Sequence, residues 1–321
     1  MNRKLKLNKT ELQTFLIENF VAIMLTLFVI FMIFNRRSFS SWSNITTILN
    51  DCCLYGITAL AMTVVVICGE VDLSVSSIYA WSSCLFVILC NSMSVLPAAL
   101  ITIATGAVWG SINGALVSLL RMPAFVATLG TMYTAKGLAY YITSEKPVNT
   151  ANATLAAIGK LNLGGITIVP LAFILILAFL YWLMKYTMTG RNIYATGGNY
   201  EVAKLSGINV RFSKWLVFVI VGIGSSISGI LYCTRVYSGA ATYGADLTIW
   251  AVAATVIGGT SMAGGSGGVH RTVIGVLLMA ILFNALTLLG VDGSMQRFIR
   301  GMVMILVILF DTVARMKKSG K

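Results

Sequence analysis

The sequence predicts an all-α polytopic membrane protein with about ten transmembrane helices and both termini in the cytoplasm. Of its 321 residues, 58% are hydrophobic and 10% are charged, and the mean hydropathy is +0.88. A soluble domain has about a quarter of its residues charged. Because a backbone in lipid must satisfy its own hydrogen bonds, the long apolar runs are predicted to be helices. The short alternating segments of a transmembrane barrel do not occur in the sequence.

Ten apolar runs are candidates for membrane spans, and they lie at about residues 15–34, 52–68, 75–91, 95–119, 124–142, 166–184, 214–234, 248–259, 272–290 and 298–313. The first follows a basic N-terminus and is predicted to be a retained helix, since no small-residue cleavage pattern follows it. The eighth is too short to cross a bilayer alone. We expect it to begin earlier or to continue as irregular backbone into the glycine-rich run 258–268.

The distribution of charge predicts the orientation. The net charge of +13 comes from basic residues scattered between apolar runs, without the interleaved aromatic residues of a nucleic-acid groove. With the N-terminus inside and ten alternating spans, fifteen Lys and Arg fall in the cytoplasm and seven outside, as the positive-inside rule requires. A single transmembrane domain is therefore expected over residues 1–321. Its cytoplasmic parts are an N-terminal tail at 1–14, a polar loop at 185–213 and a C-terminal tail at 314–321.

Two carboxylates interrupt the apolar sequence between the second and third runs. Ionisable groups at membrane depth are costly, so Glu70 and Asp72 are candidates for function. Asp72 or Ser74 can equally cap the helix that starts near Val75, and the sequence leaves both interpretations open. Glu70 is harder to explain as a cap. It is expected to be solvated at the interface or to face a polar cavity.

Other polar side chains inside the apolar runs have two possible uses. Asn113 and Asn284 can bind a polar solute or join neighbouring helices, which is the more common use. Lys136 can extend toward the interface or bond to helix ends. The six cysteines lack the spacing of a metal site and are predicted to be small core residues. No catalytic residue and no metal site are predicted, since His270 is the only histidine.

The glycine-rich run 258–268 lacks the Gly-Lys-Ser/Thr of a phosphate loop, so nucleotide binding by this chain is not expected. Its glycines, Gly258, Gly259, Gly264 and Gly265, are predicted to be structural, in a turn or a close helix contact. There is a faint internal match between residues 66–69 and 256–259. Transporters are often built from such repeats.

The loop at 190–210 contains a short run of good helix formers that ends at Gly207, a predicted C-cap. A helix is therefore expected there. One interpretation is a solvated connector, in which Leu205 and Ile208 bury against the bundle. The other is a surface that contacts a partner.

Several of these segments, in order, resemble the permease subunits of bacterial ABC importers for ribose and related sugars, a branch that includes xylose, galactose and autoinducer-2 permeases. The resemblance runs from about Thr46 to Asp311. It is carried by GEVDLSV at 69–75, MPAFVATLGTM at 122–132, KG at 136–137, the loop 190–210, and VIGGTSMAGG at 256–265. The family usually has glycine at the positions of Glu70 and Ser76 and arginine at that of Lys136.

The resemblance implies a permease without enzymatic activity, located in the bacterial inner membrane. It implies a second permease subunit, identical or different, a periplasmic solute-binding protein, and separate ATPase subunits that bind ATP and Mg, with no cofactor on this chain. The loop then contains a coupling helix, whose expected ATPase-coupling residues are Asn199, Glu201, Ala203, Lys204, Leu205 and Gly207. The expected translocation-pathway residues are Glu70, Asp72, Ser74, Asn113, Lys136 and Asn284.

Two other classes are weighed against this interpretation. An ion-coupled secondary transporter or channel, acting without an ATPase, predicts acidic pairs or proton relays on several spans. Here the carboxylates nearest the membrane are Glu70 and Asp72, with others at span ends, namely Asp51, Asp246, Asp292 and Asp311. A membrane-embedded enzyme requires a catalytic constellation, and the sequence contains none.

Overall fold

The computed structural model describes residues 20–161 and 164–318. The tail predicted at 1–14 lies outside the described residues. The helices are α1 (Phe20–Asn35), α2 (Trp42–Ile67), α3 (Val75–Cys90), α4 (Val95–Ser118), α5 (Ala124–Thr143), α6 (Ala153–Lys160), α7 (Val169–Tyr186), α8 (Met188–Gly198), α9 (Tyr200–Leu205), α10 (Val210–Val236), α11 (Leu247–Ile257), α12 (Val269–Leu288) and α13 (Gly293–Lys318). Two short strands, β1 (Val148–Asn149) and β2 (Ser238–Gly239), pair antiparallel.

The predicted helical character is confirmed. Within the described residues, five helices are long and apolar enough to cross a membrane, namely α2, α4, α7, α10 and α12. The second predicted span was placed too late along the chain, because α2 begins at Trp42 rather than at 52. Its N-cap is Ser41, whose side chain accepts a hydrogen bond from the Asn44 backbone. Asp51, predicted at a span end, therefore lies inside α2.

The bundle has two ends, and successive long helices run between them in opposite directions. We call one the glycine end, because Gly69, Gly197 and Gly265 meet there. We call the other the strand end, because it carries β1 and β2. At the strand end Arg235 pairs with Asp51 at 2.6 Å, which joins the end of α10 to the first turns of α2. α2 is buried along most of its length, so it is the central helix of the bundle.

We call α1–α6 and α7–α13 the two halves of the chain, and long helices of each half pack against the other half. The main partners of α2 include α11 and α12, whereas α10 packs mainly against α4 and α3. Glycines permit the closest of these contacts, since a Cβ atom at Gly110 of α4 would lie 2.3 Å from the Phe218 carbonyl oxygen of α10. Small residues let helix backbones approach in this way. The two halves are thereby interlocked.

The match between residues 66–69 and 256–259 corresponds to a shared helix ending. Gly69 and Gly259 have φ of 82° and 86°. Each amide donates to the carbonyl three residues earlier, at 2.9 and 2.8 Å, and the next amide donates to the carbonyl five residues earlier, at 3.2 Å in both. This is the Schellman arrangement, which satisfies the last carbonyls of a helix and favours glycine. The match therefore reflects local capping of α2 and α11.

Helix α11 is short, as the eighth apolar run predicts, and its start contacts the start of α3. Thr248 Oγ1 donates to the Leu73 carbonyl oxygen at 3.2 Å and accepts from the Ser76 amide at 3.2 Å. After Ile257 the chain continues as irregular backbone through 258–268, packed against protein, as expected for a break of this kind.

Candidate functional site

Three segments far apart in sequence meet at the glycine end. The Gly265 amide donates to the Ile67 carbonyl oxygen at 2.8 Å, and a Cβ atom at Gly197 would lie 1.9 Å from the same oxygen. A Cβ atom at Gly264 would lie 2.7 Å from the Gly197 carbonyl oxygen. The end of α2, the end of α8 and the glycine-rich run are therefore in direct backbone contact, which only glycine permits here.

Helix α8 connects this junction to the polar loop. It starts at the N-cap Thr187, whose side chain accepts from the Gly190 amide at 3.2 Å. Tyr194 then donates its hydroxyl to the Gly267 carbonyl oxygen at 3.0 Å, and Ile193 is fully buried. The loop predicted at 185–213 is thus helical over much of its length and fixed to the bundle.

Helix α9 is the short helix predicted from the sequence. Asn199 Oδ1 accepts from the Val202 amide at 3.1 Å and caps its start. Gly207, with φ of 81°, directly follows the C-cap residue Ser206. Ala203 is buried beneath it, so this residue positions the helix rather than offering a contact surface. Leu205 does not bury against the bundle as one interpretation expected, since it is 86% exposed, and Val202 is 57% exposed.

Glu70 faces a polar cleft beside α9, one of the two alternatives predicted for it. It forms an ion pair with Lys214 at the start of α10, and Lys214 Nζ lies 5.2 Å from the ring centre of Tyr200. The cleft has a volume of about 420 Å³ and is also lined by Glu201 and Lys204. Through Lys214, Glu70 thus joins the α2–α3 connection to the start of α10 beside α9.

Asp72 is fully buried in the α2–α3 connection and is not a conventional helix cap. Its Oδ1 accepts from the Ser74 amide at 2.7 Å and hydroxyl at 2.6 Å, and its Oδ2 accepts from Asn113 Nδ2 at 3.2 Å. Thr131 of α5 donates to Asn113 Oδ1 at 2.6 Å. Burial raises the pKa of Asp72 to about 6, against the lowering effect of these hydrogen bonds. Thr131 was not predicted, because a hydroxyl in an apolar helix carries no distinctive sequence signal.

A second cleft opens at the strand end, with a volume of about 730 Å³. Asn284 lines it and exchanges two hydrogen bonds with Asn44, at 2.8 and 3.0 Å. Arg300 of α13 lines it too and donates to Asp246 at 2.8 Å. From the sequence, Asp246 was predicted only to lie at a span end, and Arg300 was counted only among the seven basic residues outside the cytoplasm. Their approach depends on the packing of α11 against α13.

The six predicted pathway residues therefore do not form one site. Glu70 lines the cleft beside α9, Asn284 lines the cleft at the strand end, and Lys136 is half-buried in the second half of α5. Only three of them, Asp72, Ser74 and Asn113, are brought into contact. His270 packs edge-on against Tyr181, with ring centres 5.5 Å apart. Among the described residues, no group of three or more potential metal ligands occurs.

Comparison with known proteins gives consistent matches over most of the chain. A family model described as the branched-chain amino acid transport system permease component matches residues 44–308. The chain is 34% identical to the ribose import permease protein of Haemophilus influenzae over 318 residues, which cover 96% of this chain and 97% of that protein. It is 30% identical to the galactose/methyl galactoside import permease protein of Escherichia coli over 336 residues, covering 98% and 99%.

A third relative is the autoinducer 2 import system permease protein of Shigella flexneri. It is 31% identical over 279 residues, which cover 87% of this chain and 82% of that protein. No solved structure matches the chain.

Proposed function

Because the chain belongs to the family of branched-chain amino acid transport system permease components, we propose that it is the transmembrane permease subunit of an ABC importer for a sugar or sugar-like solute. It is a multi-pass membrane protein, and the proposed location is the bacterial inner membrane. With ten spans and both termini inside, the glycine end faces the cytoplasm and the strand end faces the periplasm. The basic residues of the loop 185–213 support this orientation.

The observation that carries the proposal is the exposed face of α9. Leu205 and Val202 are exposed apolar side chains on a helix of six residues, outside the long apolar helices. In the proposed orientation these two side chains face the cytoplasm rather than lipid, and we assign them to a contact with another protein. The helix is capped at both ends and anchored beneath by Ala203. It therefore presents a fixed surface to a separate ATPase subunit.

In this mechanism the chain itself performs no covalent chemistry. ATP and Mg bind to the ATPase pair, and closure of that pair pushes on α9. The movement reaches the spans through α8, whose end contacts α2, and through α10, which begins just after the loop. A binding protein delivers the solute at the strand end, and a second permease subunit completes the pathway.

The sugar class is supported by the relatives rather than by the family description. Permeases named for ribose and for galactose match almost the full length of this chain, whereas the family description refers to amino acids. We therefore assign a sugar or sugar-like solute.

Reconstitution in liposomes tests the proposal. The permease is assembled with the ATPase and binding protein from neighbouring genes, and uptake of a radiolabelled sugar is measured with and without ATP. We expect uptake only when ATP, ATPase and binding protein are all present. Uptake by this chain alone, indifferent to ATP, would instead establish the ion-coupled transporter or channel.

A further inference from the structure

We propose that the strand-end cleft is a low-affinity polyol site of this chain, in which Arg300, Asp246 and Asn284 bind solute hydroxyls. The inference rests on the proposed function and adds the residues that receive the solute. The cleft lies between α2, α11, α12 and α13. Its volume of about 730 Å³ falls within the range of small-molecule sites.

The two halves of the chain carry the same polar residue types at similar positions, but these residues have different hydrogen-bond partners. Asp72-Leu73-Ser74 precedes α3, and Asp246-Leu247-Thr248 begins α11. The helix that follows has an asparagine in each half, Asn113 in α4 and Asn284 in α12. In the first half the aspartate and asparagine are hydrogen-bonded and fully buried. In that half the polar groups therefore hydrogen-bond to one another.

In the second half the corresponding groups are held apart. Asp246 is paired with Arg300, and Asn284 is paired with Asn44. The cleft lies between these two pairs. A carboxylate has about four acceptor positions and an amide also has spare capacity, so both pairs retain hydrogen-bonding capacity for a ligand. The internal pairing of charges also favours a neutral ligand with many hydroxyls over a charged one.

One nitrogen of the Arg300 side chain has an unused hydrogen-bond donor. Within the described part of the chain, its buried Nε has no hydrogen-bond partner. A buried polar group in that state calls for an explanation. Its guanidinium lies 4.6 Å from the ring centre of Phe283, which holds it against the wall of the cleft. The Arg300 side chain as a whole is 28% exposed, so it remains accessible to a solute hydroxyl in the cleft.

The inner part of the cleft is aromatic. Tyr55 and Trp250 line it, with ring centres 5.6 Å apart. Sugars present apolar C–H faces as well as hydroxyls, and an aromatic wall with a few polar groups suits both. Thr248, two residues before Trp250 in α11, donates a hydrogen bond to the Leu73 carbonyl oxygen.

Equilibrium dialysis on the full-length permease in lipid nanodiscs, without binding protein, tests the site. The probe is radiolabelled D-ribose, and the competitors are D-xylose, D-galactose, ribitol and L-leucine. We expect saturable millimolar binding that polyols displace and L-leucine does not. Arg300→Gln and Asn284→Ala should each weaken binding about tenfold or more, because each removes a hydrogen-bonding group. Arg36→Gln removes an exposed cation outside the cleft and should bind as the unmodified chain does.

Three outcomes would overturn the site: no binding of any polyol, unchanged binding in both variants, or displacement by L-leucine alone. If Arg300→Gln does not assemble, Asp246→Asn, which preserves size, carries the same test. ATP-driven uptake by the complete system, combined with no polyol binding in nanodiscs, would reject this site and leave the proposed function intact. ATP-independent uptake by the chain alone would reject the proposed function whatever the dialysis shows.

Discussion

Glu70 and Lys214 form an ion pair between the α2–α3 connection and the start of α10. Their side chains are 15% and 22% exposed, so water screens the pair less than it would at a fully open surface. Lys214 also lies over the ring of Tyr200, the first residue of α9. One cation therefore joins the segment before α3, the start of α10 and the proposed coupling helix. In the proposed mechanism, this cation transmits movement of α9 to both segments.

We expect Glu70→Gln to lower the number of solute molecules transported per ATP and to reduce the free energy of unfolding by about 1–2 kcal/mol, since Lys214 is left without its partner. Uptake and ATP hydrolysis are measured together in proteoliposomes. The double variant Glu70→Gln/Lys214→Gln should be less impaired than the sum of the single variants. Glu145→Gln, at the other end of the bundle, is the matched control. Strictly additive effects would show that the two residues act separately.

Gly197→Ala is expected to destabilise the protein, because the added methyl would lie 1.9 Å from a backbone oxygen that cannot rotate away. The cost is about 1–3 kcal/mol, as for overpacked sites. The neighbouring Gly198→Ala is the control, since its methyl would meet its nearest atom at 3.8 Å. Thermal unfolding in detergent distinguishes the two. Equal melting temperatures would contradict the close contact at the glycine end.

Glu201→Lys and Gly207→Pro should leave the permease inserted in the membrane but uncouple transport from ATP hydrolysis. The first places a positive charge in the first turn of α9, where the helix dipole disfavours it. The second is incompatible with φ of 81°. Co-purification of the ATPase and uptake are the measurements. Gly207→Asn tolerates this backbone conformation and should remain coupled, and normal uptake in both disruptive variants would refute α9 as the coupling helix.

The buried carboxyl of Asp72 predicts a pH-dependent stability. In the folded protein it holds its proton up to about pH 6, whereas its ordinary pKa is 3.8. Between these values the folded state binds more protons than the unfolded state, so stability falls as pH rises through this window. The melting temperature should therefore be higher at pH 5 than at pH 7.5. Asp72→Asn, which cannot titrate, should lose this part of the difference, and an identical pH profile in the variant would contradict the assignment.

Local patterns predicted much of the fold. Most helix boundaries agree with the apolar runs to within a few residues, because a helix in lipid must be continuous and apolar. The short α11, the break after it and the cap at Gly207 follow from run length and glycine position. The early start of α2 was missed, since Asn50 and Asp51 look like loop residues until Gly165 and Arg235 supply their partners.

The candidate sites were predicted less completely. Glu70 and Asp72 stand out in an apolar sequence because charge at membrane depth is costly. Their different roles do not follow from their spacing, since they lie two residues apart and yet one forms an ion pair and the other is fully buried. Thr131 and Arg300 were missed because their partners come from other helices.

The sequence by itself determined that this is a helical membrane protein, roughly where its helices begin and end, and which family it resembles, because hydropathy, capping and motif order are local properties of the chain. Only the tertiary structure decided which polar groups meet. Packing of the helices brought Asp72 onto Asn113. It also gave Asp246 and Asn284 separate partners, Arg300 and Asn44. The reason is physical: hydrogen bonds and ion pairs depend on distances of about 3 Å, and those between helices are set by the packing of backbones far apart in sequence.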